Sequence, residues 1–109
     1  MKILGFNYSL ERSLPHDAKF MGVADSDNLK IQLSDKPYPN ERMIEVILHE
    51  SIHAISNELE LHLPERTVLC LSATIYQILN DNGVDLNPLL KEILMPTMPL
   101  VKTTGEPKC

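Results

Sequence analysis

The chain of 109 residues is 43% hydrophobic and 23% charged. That is the size and balance of one globular domain, and it excludes fibrous repeats and wholesale disorder. Ten Lys and Arg against fifteen Asp and Glu leave a formal charge of −5, the wrong sign for a protein that works by neutralising nucleic-acid phosphates. No run of about 18 apolar residues occurs, so no membrane-spanning helix is expected. Met1-Lys2 leads into a segment broken by Gly5, Asn7 and Ser9, unlike a secretory leader. Cys70 lies in an apolar run and Cys109 is the last residue. Both read as reduced thiols of a cytoplasmic protein, with Cys70 as a small buried apolar residue.

The first third reads as β. Leu4, Phe6, Tyr8 and Leu10 alternate with Gly5, Asn7 and Ser9, the period of a half-buried strand. Tyr8 and Phe6 are expected to serve strand packing. Glu11 to Lys19, with Pro15 and His16, reads as a loop. A short strand is expected over Phe20 to Ala24. The turn formers Asp25-Ser26-Asp27-Asn28 then lead into the alternating Leu29, Ile31 and Leu33, which makes a hairpin. Ser34 to Asn40, with Pro37 and Pro39, is a second loop.

At Asn40 the period changes to that of a helix. Asn40 reads as the N-cap, with Glu41 in the first turn. Ile44, Ile47, Leu48, Ile52, Ile55 and Leu59 then trace one face to an end near Glu60. A second helix starts at Pro64, carries Val68, Leu71, Ile75 and Leu79 on one stripe, and stops at Asp81-Asn82-Gly83. Tyr76 on this helix reads as core. Asn87-Pro88 opens a short third helix that Met95-Pro96 terminates. Residues 96–109 read as a loose tail in which Met98 has no special role.

The informative residues are His49-Glu50-Ser51-Ile52-His53. On a helix, positions i and i+4 stack on one face, so two imidazoles can hold one ion. The apolar period puts a helix there without help from the motif. It turns His49 and His53 about 100 to 130° away from the core stripe, toward a cleft. Glu50 lies one step round, too close in sequence to join the pair as a ligand but able to reach a water on the metal. Zinc suits two neutral imidazoles and a carboxylate, with the fourth position left to water. The ion lowers that water's pKa toward ~7 and polarises a carbonyl. Glu50 takes the proton and hands it to the departing amine, which is peptide hydrolysis.

A third ligand is needed, and several residues after His53 compete for the role. Glu58 lies about 140° round the same helix and faces away. Glu60 is close in azimuth but two turns further along. Leu59 occupies the position six residues after His53 where a third histidine would suit. Glu65 shares a helix stripe with Leu69, Ser72 and Tyr76, an odd place for an unpaired carboxylate. His62 is the alternative, or else an exposed loop residue or an oxyanion partner. Glu65 and His62 both stay open on this reading.

On the stretch Leu48 to Ala54, on Leu63-Pro64-Glu65 and on the run Val68 to Asn82, the sequence resembles the zincin metallopeptidases. It is most similar to the compact zincin-like domains of phages and bacteria, which include relatives of the peptidases that cleave repressors of mobile elements. The hairpin before the motif helix also fits, so the likeness covers about residues 1–82. The resemblance implies an α+β fold: an antiparallel hairpin or sheet packed on the motif helix, a second helix, a short third helix, and a tail. This is one domain over residues 1–95. It further implies one zinc per chain held by His49, His53 and the downstream acid Glu65, with Glu50 catalytic. Substrate is implied to lie along the edge of the strand before the motif helix, Leu29 to Leu33. Larger relatives carry a second domain that this chain lacks, which favours one specific protein or peptide substrate. The competing expectations are a catalytically silent zinc-binding interaction protein and a small acidic binding protein with a chance motif. Zinc content and the behaviour of Glu50→Gln tell these apart.

Overall fold

The computed structural model describes residues 1–15 and 17–94. His16, Met95, Met98, the tail over residues 96–109 and Cys109 therefore lie outside the described residues. The fold is α+β, as expected. Five short strands, β1 (Lys2–Ile3), β2 (Phe6–Asn7), β3 (Ser9–Leu14), β4 (Gly22–Asp25) and β5 (Lys30–Ser34), precede three helices, α1 (Asn40–Glu58), α2 (Glu65–Asp81) and α3 (Pro88–Leu94).

The alternation from Leu4 to Leu10 is split in two. Leu4 and Gly5 both take positive φ, 52° and 88°, the requirement of a tight two-residue hairpin turn. This turn folds β1 back on β2, leaving Leu4 and Phe6 exposed while Tyr8 is buried. The strand that follows, β3, starts within the expected strand at Ser9 and Leu10 and continues through residues 11–14, expected to be loop. Its outward side chains are polar, which hid it. The Arg12 guanidinium instead ties the strand down by donating to the carbonyls of Ser34 and Lys36.

The β4–β5 hairpin is antiparallel, as the turn residues imply, and β3 adds to β5 in parallel, giving the sheet order β3-β5-β4. This places Lys30–Ser34 at the sheet centre. The edge offered by resemblance to Leu29–Leu33 is therefore corrected: β5 is paired on both sides, and β4 is the outer strand on the side of α1 and the histidines. Ile31 and Leu33 are fully buried and pack with Leu10, Met43, Ile47 and Ala54. Burying an aliphatic side chain of this kind contributes about 1.5–3 kcal/mol, so this cluster fixes which face of α1 turns inward.

Helix α1 is capped differently from expectation. Pro39, not Asn40, is the N-cap, and its carbonyl accepts the Met43 N–H at 3.0 Å. On α2 only Val68 and Ser72 are buried. Leu71 and Ile75, expected in the core, are 41% and 38% exposed, and Cys70, expected buried, is exposed too. The cause is that α2 packs on α1 alone among the larger contacts, and one helix covers only a narrow stripe of another. Tyr76 is half-buried. Helix α3 packs on β3 and α1, and Glu92 pairs with the Met1 ammonium. Among the described residues no helix is long and apolar enough to cross a membrane.

Gly22 sets how closely β4 approaches α1. A Cβ there would lie 2.8 Å from Val46 Cγ1 and 2.9 Å from Glu50 Cγ, closer than carbon atoms pack. Gly22→Ala should therefore destabilise the fold by about 1–3 kcal/mol, read as a lower midpoint in urea unfolding.

Candidate metal centre

Two helices build the centre, and the connection between them sets its geometry. The chain leaves α1 at Leu59 and passes through two residues with positive φ, Glu60 at 53° and His62 at 54°. Neither is glycine, so this connection is held by its surroundings. The holder is Ser56, buried in the last turns of α1. Its carbonyl accepts the Leu61 N–H at 2.9 Å and its hydroxyl accepts the Leu63 N–H at 3.0 Å. Pro64, extended, then starts α2 so that Glu65 is its first residue.

That placement returns Glu65 to the histidines of α1. Its Oε2 lies 2.9 Å from His49 Nε2 and its Oε1 2.8 Å from His53 Nε2. The two rings meet edge-on, with centroids 4.8 Å apart, as one helical turn requires. The potential ligand atoms of His49, His53 and Glu65 all lie within 4.8 Å of one another, so these three residues could hold a metal ion. Glu65 is 69% exposed at its side chain, which leaves the cluster accessible from outside. A carboxylate between two imidazoles matches the two-nitrogen, one-oxygen donor set of divalent transition metals.

His62 goes elsewhere. It is exposed in the connection at positive φ and is not part of the cluster. Glu58 accepts the Tyr8 hydroxyl at 2.8 Å, and Glu60 is exposed. Of the residues weighed as third donor, only Glu65 joins the histidines.

Glu50 points to the sheet side of the cluster and is only 7% exposed. Burial raises the pKa of its carboxyl. The neighbouring His53 and His49 and the Ala24 backbone amide pull it down, while Glu65 pushes it up. The first effect wins because a buried carboxylate loses hydration that these partners do not fully replace.

Two further residues carried no signal of their own in the sequence. Ser72, on the inner face of α2, donates to the Leu69 carbonyl at 3.1 Å and sits 3.5 Å from His49 Nδ1. An ion at Nε2 would leave the His49 proton on Nδ1, from where it is directed to this oxygen. Gly22 brings β4 against Glu50. The serine stood on the right stripe, but its role depends on how two helices cross.

Comparison of the chain with protein-family models, with curated proteins and with solved structures returns no match. The reading of this centre therefore rests on its geometry.

Two outcomes follow. Glu65→Ala should weaken binding of Zn2+, measured by competition with a chromogenic chelator, by well over tenfold, and Ser72→Ala by about tenfold. The second concerns Glu50 in the metal-free protein. A carboxyl whose pKa is raised on folding binds more protons folded than unfolded, so stability falls as pH rises above the ordinary carboxylate range. Glu50→Gln should accordingly raise the melting temperature of the metal-free protein at about pH 7 by several degrees, and the gain should vanish near about pH 4.

Proposed function

We propose that the chain is a small zinc-dependent peptidase acting on a specific protein or peptide substrate, with His49, His53 and Glu65 as metal ligands and Glu50 as general base and acid. The observation that carries this reading is the Glu65 carboxylate lying between the Nε2 atoms of His49 and His53, beside a buried Glu50. Two imidazoles and one carboxylate, accessible from outside, are the set zinc takes where one position is left for chemistry. When bound, the ion supplies Lewis acidity to the peptide carbonyl and to the attacking water.

The remaining work falls to the protein. The Glu50 carboxylate takes a proton from the attacking water, holds it, and delivers it to the departing amide nitrogen as the C–N bond breaks. The outer edge of β4, beyond Gly22 and Ala24, has no partner strand among the described residues. Its backbone groups can pair with an extended substrate. A catalytically silent zinc protein would have no use for a buried carboxylate that lowers the stability of the fold.

The test is hydrolysis of a quenched fluorescent peptide mixture by the zinc-loaded protein. Glu50→Gln should lower the rate by about 10²–10⁴-fold while retaining about one zinc per chain. Full activity in that variant would remove Glu50 from the mechanism. Zinc binding without hydrolysis in the wild type would leave a silent metal protein instead.

A further inference from the structure

Helix α2 is held to the body of the protein more thinly than its neighbours. Of its seventeen residues only Val68 and Ser72 are buried, against eight of the nineteen in α1. Leu69, Leu71, Ile75 and Ile78 are exposed, so little apolar burial docks this helix. Among the described residues, every hydrogen bond and ion pair between α1 and α2 runs through one of the two histidines. Glu65 meets His49 and His53, and Ser72 meets His49. The Glu65 side chain is 69% exposed, and charge pairs open to water hold little.

The two ends of α2 are better fixed. Before it, Ser56 binds the connection at Leu61 and Leu63. After it the chain turns at Gly83, whose φ is 78°, and enters α3. There Ile93 is buried, Leu89 and Leu90 pack on the core, and Glu92 pairs with the Met1 ammonium. Helix α2 is thus a strap fastened at both ends and, along its length, chiefly at the histidines.

We propose that α2 is latched by the metal: an ion held by His49 and His53 of α1 and by Glu65 of α2 docks the helix, and without the ion the strap lifts from α1 while the sheet, α1 and α3 stay folded. The inference rests on the metal ligands of the proposed function and not on hydrolysis. Donors on two helices serve one ion only when the helices are docked, so ion binding and docking favour each other by the same factor. A lone helix of seventeen residues is marginal in water, so the released α2 loses its backbone hydrogen bonds. The cavity of about 290 Å³ beside His49 goes with it, because Leu69, Ser72 and Ala73 of α2 line it. Uptake of the ion therefore assembles a wall of the site as well as its chemistry.

The test follows backbone amide exchange by mass spectrometry in the full chain, once with a chelator and once with saturating Zn2+. With the chelator, amides of residues 69–79 should exchange at least about 100-fold faster than those of β5 and of Ile44 to Ile47. Zn2+ should slow the α2 amides by well over tenfold, the factor by which loss of Glu65 weakens Zn2+ binding. In Glu65→Ala, Zn2+ bound by the two histidines alone should slow them by less than about twofold. Equal exchange of α2 and β5 with the chelator, α2 amides indifferent to bound Zn2+, or full slowing retained in Glu65→Ala would overturn the latch. If Zn2+ slows α2 in a protein that cleaves no peptide, the latch stands and the hydrolytic reading falls. Zinc-dependent cleavage with α2 unslowed has the opposite meaning.

Discussion

The centre depends on the return of the chain between α1 and α2. Six residues, Leu59 to Pro64, must reverse direction and deliver one carboxylate to the two imidazoles of α1. The reversal is held by both backbone and side chain of Ser56 and by two non-glycine residues at positive φ, a conformation of modest local cost that a packed surrounding sustains. Little else fixes α2, which buries only Val68 and Ser72. The contacts of Glu65 with His49 and His53 thus form a large part of what sets the rotation of α2 about its axis. A cation among these three groups would bind the two helices together, so metal affinity and the docking of α2 are coupled quantities.

The same economy appears on the sheet side. Among the described residues Glu50 is the one charged residue that is buried, and burial of a carboxylate costs stability unless it is paired or protonated. It is tolerated because Gly22 lets β4 approach within van der Waals contact and brings the Ala24 amide to it. The hydrophobic cluster of β3, β5 and α1 supplies the surplus that sustains this. Local rules broken in a place where several polar groups converge are what a working site looks like.

How legible this was in the sequence varied with the range of the interaction. The motif helix could be read because its apolar period is independent of His49 and His53, but the buried face is rotated from the expected stripe: Met43, Val46, Glu50 and Ala54 are buried with Ile44 and Ile47, while Leu48, Ile52 and Ile55 are half-buried and Leu59 is exposed. Glu65 could be shortlisted from its helix stripe. Choosing it over His62 needed the positive-φ connection, which no turn formula encodes in Glu60-Leu61-His62. Strand β3 escaped notice because Glu11, Arg12 and Ser13 present polar side chains and its partner β5 lies beyond an intervening strand. Strand order was likewise hidden, since a parallel pairing of β3 with β5 puts the hairpin's second strand in the centre. The stripe read on α2 is not the face that α1 covers, which runs through Val68 and Ser72, because a pattern says which residues are apolar and not how much neighbouring structure exists to cover them. Cys70, Leu71 and Ile75 are exposed for that reason.

The motif therefore accounts for only part of the proposed chemistry. Its five residues set the spacing of two imidazoles and put a carboxylate beside them, which follows from helical geometry alone. The burial of that carboxylate comes in part from β4 and from Gly22, far away in sequence. Ser72 faces Nδ1 of His49, and Glu65 meets both imidazoles, each from α2. A helix bearing the same five residues in solvent would have an ordinary glutamate and two freely rotating histidines. In this chain an edge strand and a second helix close on the motif from different sides.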